Sequence, residues 1–566
     1  MSDLARLLAY LVRVSGGSRR ARLTFAGVIA AGIGSGLALA ALIGAVNTLL
    51  AAGGAPSRAL VATFLVLLVA RPALRFLAHF LVLRITETGF VTLRMELCRR
   101  VVATPLRRLE ELGRARLTAA LATDVGQIVN AMVLLPTVLM HASVLAGFLA
   151  YLGWLFWPLL PPLLLLTAAG AVSIRWMIRR GMVRVAAGRQ LYDRLFHQMR
   201  GVTEGTKELQ VHQRRRGEFM ARMEGTAREH RREMRLGDLW FGVMTASSEL
   251  LFFLAVALVL LAGPHLVAVP PATLASFVVA ILMMRGPLEA LLDGTAVLGQ
   301  ATVAARKVEE LTGSLAAPAP DVPLPAPRRW RSLELDGVTH SYRGEADERF
   351  VLGPLTLALS PGEMVFVVGG NGSGKTTFAK VLLGLYAPES GEIRLDGRAV
   401  EPAGMDAYRQ HFSAVFSDFF LFESLMGVDA ADLDGDARRY LSALHLQHKV
   451  RVSGGELSTV DLSQGQRKRL ALLGAYLEDR HVCLFDEWAA DQDPHFKEVF
   501  YRHLLPELRA RGKTLVVISH DDQYYGVADR VVRLDYGQVT FDGSAAEYLD
   551  GGHAARPPAF AGAVAA

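Results

Sequence analysis

The sequence predicts a multi-domain membrane protein: a six-helix, all-α transmembrane domain followed by a mixed α/β domain. Three observations predict it. Long stretches without Asp, Glu, Lys or Arg fill the first half, a proline-rich connector closes that half, and beyond it short β-branched runs alternate with helix-compatible segments. The composition points the same way. With 52% hydrophobic and only 20% charged residues over 566 positions, the chain is too apolar for an ordinary soluble enzyme and far from a disordered one. Two cysteines, Cys98 and Cys483, lie too far apart in sequence to suggest a disulfide scaffold or a structural zinc site. A net charge of +7, from 61 basic against 54 acidic residues, is a mild excess and gives no case for a nucleic-acid partner.

A bilayer-spanning helix needs roughly 20 apolar residues. Leu23 to Ser57 is free of charge and predicts a span over about 23–50. Its neighbour, about 58–85, is apolar but carries Arg71, Arg75 and His79. Val125 to Ile174 is a second charge-free run, broken near its middle by Trp157, Pro158, Pro161 and Pro162, and reads as a hairpin of spans over 128–153 and 157–177. Leu250 to Met284, broken by Gly263, Pro264, Pro270 and Pro271, predicts spans over 240–262 and 272–290.

Lys and Arg are absent from the turns near 51–57, 153–158 and 262–272 and abundant before residue 23 and across 86–124 and 175–239. The positive-inside rule therefore puts the N-terminus and the two long excursions in the cytoplasm. The first apolar run is too long for a signal peptide and reads as a membrane anchor. Both excursions keep helical spacing, so the helices are expected to run on into the cytoplasm and reverse there, at Arg108–Gly113 and at Gly201–Leu209. Arg71 and Arg75, one turn apart, need a cavity or a partner within the membrane, and Glu249 stands at similar depth.

The transmembrane domain is thus expected over 1–311. A Pro/Ala-rich linker occupies 312–329, the α/β domain 330–549, and a small-residue tail expected to be flexible 550–566. Within the α/β domain the strand Met364–Val368 runs into Gly369-Gly370-Asn371-Gly372-Ser373-Gly374-Lys375-Thr376, and a helix leaves it from Thr377. This is the G-x-x-x-x-G-K-[ST] loop. Its small residues let backbone N–H groups wrap a phosphate, its lysine bridges phosphate oxygens, and its hydroxyl suits Mg²⁺. Val482 to Phe485 is an apolar strand ending in Asp486-Glu487, where one carboxylate can hold the metal and the next polarise water. A further strand ends in Ser519-His520, and Leu462-Ser463-Gln464-Gly465-Gln466 opens a helix-like run to Leu477.

Taken together these motifs resemble the ATP-binding-cassette (ABC) exporter superfamily, six membrane helices followed by one α/β P-loop NTPase cassette. The resemblance implies ATP and Mg²⁺ as cofactors and ATP hydrolysis coupled to transport. It implies nucleotide contacts from Gly369, Asn371, Gly372, Ser373, Gly374, Lys375, Thr376 and Thr377, stacking of adenine on Tyr342, and Mg²⁺ held by Thr376 and Asp486. Glu487, His520 and Lys375 take the catalytic roles. Ser463, Gln464, Gly465 and Gln466 would contact the ATP of a second copy of the chain, and Asp493 would link the two sites, so a homodimer follows.

Three positions depart from the family pattern. Gln464 replaces the signature glycine, Ala490-Asp491-Gln492-Asp493 stands for Ser-Ala-Leu-Asp, and Ser417 occupies the place of the Mg²⁺-contacting Gln. With Phe416-Ser417-Asp418 and Lys207-Glu208-Leu209, these resemble the cyclic-peptide and siderophore-peptide exporters, those of pyoverdine and syringomycin among them. The expected function is export of such a peptide, its precursor or a lipopeptide across the bacterial inner membrane. A general lipid or drug exporter and an ATP-gated signalling or channel protein are the alternatives.

Overall fold

The computed structural model describes residues 19–51, 57–262, 265, 269–318, 324, 327–343, 349–428 and 432–551. The basic residues before 19, positions 319–323, 325 and 326 of the Pro/Ala-rich connector and the tail beyond 551 lie outside the described residues. The chain forms two compact units, one of 1–102 with 114–316 and one of 103–113 with 317–566.

The described residues of the first unit form helices joined by short turns, with no strand among them. Helix α1 spans Arg19–Ala51 and α2 Arg58–Ala103. After the short α3 (Leu106–Leu112), which belongs to the second unit, a helical run from Arg114 leads through a π turn, Ala120–Asp124, into α4 (Val125–Phe156). A 3₁₀ turn at Trp157–Leu159 breaks the path, and α5 restarts at Leu160 with prolines in its first turn, where a missing N–H costs nothing. Helix α5 runs on beyond the span expected to end at 177 and stops at Glu204, within the reversal expected at Gly201–Leu209. Gly205, the short α6 (Thr206–Val211) and extended His212 reverse the chain into α7 (Gln213–Ala257), and α8 runs Pro271–Ser314. Five continuous helical runs among the described residues are long and apolar enough to cross a membrane, and the longest, 114–204, contains both α4 and α5.

Packing in this unit uses small residues, as expected where lipid gives no hydrophobic drive between helices. A Cβ on Gly36 of α1 would lie 2.8 Å from the Met140 carbonyl of α4, and one on Gly237 of α7 would lie 2.9 Å from Val185 of α5. Glu249 does not meet Arg71 or Arg75. Its carboxylate accepts from Arg285 of α8 at 3.3 Å, and Arg285 also donates to Glu289 at 2.9 Å. Arg285 lies one residue beyond the charge-free run ending at Met284, so it competes for Glu249 from the adjacent helix.

The second unit is an α/β cassette. Strands β1 (Leu333–Arg343), β2 (Arg349–Leu359), β4 (Ser390–Leu395) and β5 (Arg398–Ala399) form a sheet in the order 2-1-4-5. The central sheet runs 12-11-3-10-9-6. It contains β3 (Met364–Val368), β6 (Phe412–Val415), β9 (Val482–Asp486), β10 (Thr514–Ile518), β11 (Arg530–Asp535) and β12 (Gln538–Ser544). A small hairpin, β7 (Val452–Ser453) with β8 (Glu456–Leu457), stands apart from both.

Strands β3, β9 and β10 are buried at every position because both faces are covered, as parallel strands require. Met364, Phe366 and Val368 face one core with Phe485, Trp488 and Phe500, while Val365 and Val367 face another with Phe378, Leu382 and Ile518. In register, Ile518 lies between Val367 and Asp486, so the C-terminal ends of three parallel strands come level. That edge is where open α/β sheets hold ligands.

Candidate functional site

The loop after β3 turns sharply enough that glycine is required. Gly372 and Gly374 take φ of +78° and +100°, and a Cβ on Gly374 would meet the Phe350 ring at 2.8 Å. Helix α9 (Lys375–Leu382) starts there, its first N–H groups turned toward the loop. Lys375 is buried, and its ammonium donates to the carbonyls of Gly369 at 3.1 Å and Gly370 at 2.9 Å. Burial lowers its pKa, opposed by the nearby Glu487 and Asp486. Thr376 is half-buried, Thr377 is buried against the core, and Gly369, Asn371 and Gly372 line the outer turn. The Ser373 hydroxyl is buried without a hydrogen-bond partner.

Asp486 ends β9 fully buried, and neither carboxylate oxygen makes a well-formed hydrogen bond. Burial pushes its pKa up to about 6; the approaching Thr376 hydroxyl pulls against this and Glu487 adds to it. Two unpartnered carboxylate oxygens beside a hydroxyl fit a divalent cation, which would satisfy both and restore ionisation. Among the described residues no group of three or more His, Cys, Asp or Glu could hold a metal alone. Asp486 with Thr376 therefore suits Mg²⁺, which takes few protein ligands and completes its shell with phosphate and water.

Glu487 follows in the left-handed region at φ +49°. Its Oε1 lies 3.0 Å from Nε2 of His520 and 3.8 Å from the Lys375 ammonium. The strand ends thus bring together Lys375, Asp486, Glu487 and His520.

Ser463 to Gln466 sit elsewhere, at the N-terminus of the helix α11, Gln464–Glu478, which follows α10 (Leu433–Ala443). Ser463 caps this helix through a reciprocal box with Gln466. Gln464 donates to Asp491 at 3.3 Å, and Gln492 donates to the Gly465 carbonyl at 3.0 Å. Among the described residues no hydrogen bond or ion pair joins these four to the phosphate loop of the same chain. Asp493 caps the next helix by accepting from Phe496 N at 2.9 Å and pairs with Arg469 at 3.4 Å. Ser417 is exposed in the turn after β6. The backbone of Tyr342 pairs with Phe350 between β1 and β2, while its side chain lies outside the described residues.

Two features escaped the sequence reading. Lys468, buried within a run of basic residues, pairs with Asp491 at 2.7 Å. The segment 103–113 docks on the cassette: Leu106 packs on the core beside Phe378, Arg107 pairs with Glu389 at 2.8 Å, and Glu110 pairs with Lys380 at 2.9 Å and accepts from the Tyr386 hydroxyl.

Residues 352–490 match the family model described as ABC transporter. ATP-binding protein SyrD of Pseudomonas syringae pv. syringae is 36% identical over 465 residues, which covers 80% of this chain and 82% of that protein. The ATP-dependent lipid A-core flippase of Dechloromonas aromatica (strain RCB) is 35% identical over 288 residues, 48% of each chain, and that of Burkholderia pseudomallei (strain 1710b) is 25% identical over 509 residues, 86% of this chain and 83% of that one. A solved bacterial Atm1-family ABC exporter with ATP bound superposes with a TM-score of 0.71 at 18% identity, covering 94% of this chain and 96% of that chain, which is a likeness of fold.

Proposed function

Because the chain belongs to the ABC transporter family, as a multi-pass membrane protein of the exporter arrangement, we propose that it is a half-transporter that pairs with a second copy of itself and uses ATP hydrolysis to export a peptide-like cargo. The departures at Gln464, Ala490–Asp493 and Ser417, which resemble the cyclic-peptide and siderophore-peptide exporters, carry the peptide reading; SyrD matches over most of both chains, whereas the flippases match over half the chain or at lower identity. A cavity of about 260 Å³ within the helical unit suits a cargo with an apolar part, lined by Leu145, Leu163, Leu251 and Phe252 beside Glu249 and Arg285. A siderophore, its acylated precursor or a lipopeptide has that character, and the bacterial inner membrane is the proposed location.

In this reading Gly369 to Thr377 hold the phosphates of ATP, Tyr342 stacks on adenine, and Asp486, Thr376 and Ser417 attend Mg²⁺, which neutralises charge on the phosphates when bound. Glu487 orients the attacking water, His520 contacts the terminal phosphate, and Lys375 turns from its own loop carbonyls to the phosphate oxygens. Ser463 to Gln466 reach the ATP held by the partner copy, since among the described residues no hydrogen bond or ion pair ties them to the phosphate loop of their own chain, and Asp493 links the two sites.

The single observation that carries the hydrolytic roles is the meeting of Glu487, His520 and Lys375 within 3.8 Å beside the buried Asp486. Glu487→Gln tests it. Turnover is expected to vanish while ATP still binds, since Lys375, Thr376 and Asp486 remain. Hydrolysis at the parent rate overturns the assignment.

A further inference from the structure

Glu487 is the one residue of the strand-end cluster whose backbone is unfavourable, and the structure shows what holds it. A non-glycine residue at φ +49° costs roughly 1 kcal/mol or more and persists only where its surroundings over-determine it. The Glu487 N–H donates to the Ile518 carbonyl at 3.0 Å, which fixes the residue's start to β10. Its carbonyl, on the far side of the left-handed turn, takes the Ala490 N–H at 3.3 Å and the Lys468 ammonium at 3.3 Å.

Lys468 lies one turn into α11 and is 3% exposed, so its ammonium must be fully partnered to be charged there. Its partners are the Glu487 carbonyl and the Asp491 carboxylate at 2.7 Å. The next residue of the turn is gripped from the same helix. The Trp488 indole N–H donates to the Lys468 backbone carbonyl at 2.7 Å, and its ring packs 4.3 Å from Phe500. One residue thus holds 487 through its side chain and 488 through its backbone.

We infer that Lys468 is a positioning residue: with its ammonium anchored by Asp491, it fixes the Glu487 carbonyl and thereby aims the Glu487 carboxylate at His520 and Lys375. With the 487 N–H held by Ile518 and the 487 carbonyl held by Lys468 and Ala490, the peptides on both sides of the 487 Cα are anchored, and with them the direction in which its side chain leaves the backbone. Lys468 shares its helix with Ser463 to Gln466, so the group that orients water in one site is tied to the loop that serves the other. The inference rests on the proposed role of Glu487.

The test uses the full-length protein in nanodiscs, with kcat and KM for ATP, equilibrium binding of a fluorescent ATP analogue, and the thermal midpoint. Lys468→Met keeps the apolar stem and removes the ammonium, leaving Asp491 able to reach solvent. We expect kcat to fall by at least about 10-fold, with KM and analogue affinity within about two-fold of the parent, the mark of lost aim rather than lost binding. Lys468→Arg should recover most of the rate. Asp491→Asn alone should lower kcat, yet lower it no further in the Lys468→Met background, because the two act as one unit.

A parent-like kcat in Lys468→Met overturns the inference. So does a loss of kcat that tracks equal losses of analogue affinity and thermal midpoint and that Lys468→Arg does not repair. If Lys468→Met does not fold, Asp491→Asn carries the test with the same expectation and the same refutation. Glu487→Gln, measured in parallel, separates the two levels. If it still turns over, the role of Glu487 itself fails; if it is inactive while Lys468→Met keeps the parent rate, only the positioning role fails.

Discussion

Glu110→Ala is the most informative perturbation of the docked segment 103–113. The Glu110 carboxylate takes two donors from the cassette, the Lys380 ammonium at 2.9 Å and the Tyr386 hydroxyl. A hydrogen bond from a hydroxyl to a charged group contributes about 1.5–3 kcal/mol, and a half-exposed ion pair adds at most about 1 kcal/mol. The Glu110 side chain is 42% exposed, so the low end applies and the combined loss is about 2 kcal/mol. At 1.4 kcal/mol per factor of ten, opening of the segment should become about 30-fold more frequent. Hydrogen exchange followed by mass spectrometry on the full-length protein reads this directly. Amides of Leu106–Leu112 should exchange about 30-fold faster, and those of β3 and β10 should stay within about two-fold of the parent, since neither strand is bonded to Glu110. Acceleration of the segment by less than about three-fold would show that Leu106 and the Arg107–Glu389 pair hold it unaided, and the reasoning would fail.

Two further outcomes follow from neighbouring observations. The Ser341 hydroxyl and the Arg107 guanidinium hold Glu389 below the usual glutamate range, so its contribution is present above about pH 4.3 and is lost as pH falls through the lowered folded value; the gap in thermal midpoint between parent and Glu389→Gln should be constant from neutral pH down to that range and close below it. Chains carrying Lys375→Ala and chains carrying Ser463→Arg, each inactive alone, should regain part of their ATPase when mixed under conditions where subunits exchange, because one site of the mixed dimer is then intact; absence of any recovery counts against sites shared between copies.

How much of this was legible in the sequence depends on how far apart the partners are. The phosphate loop with its strand and helix could be read because everything that defines it is contiguous. Asp486-Glu487 and Ser519-His520 could be read because each ends an apolar strand, and parallel pairing then brings the strand ends level. The hairpin break at Trp157 was visible as a cluster of prolines. Glu249, a candidate partner for Arg71 and Arg75, meets Arg285 instead, because the choice among the three arginines is made by which helices pack together, and periodicity does not carry that. Arg107 and Glu110 find Glu389, Lys380 and Tyr386 some 270 to 282 residues away, a match of charges that no local pattern announces. Lys468 was hidden for a different reason. Between Arg467 and Arg469 it looks like a solvated basic run, yet helical rotation turns the three side chains in different directions and only the middle one is 3% exposed.

The placement of Trp488 has an optical consequence. Of the six tryptophans, four belong to the helical unit and only Trp330 and Trp488 to the cassette. Trp488 is 1% exposed, with its indole N–H spent on the carbonyl of Lys468 and its ring against Phe500. An indole so enclosed emits at short wavelength, and its colour is sensitive to that one bond. In a chain whose other five tryptophans are replaced by phenylalanine, the ultraviolet emission of Trp488 becomes a gauge, needing no attached dye, of whether α11 and the strand end that bears Glu487 move together or apart during a turnover.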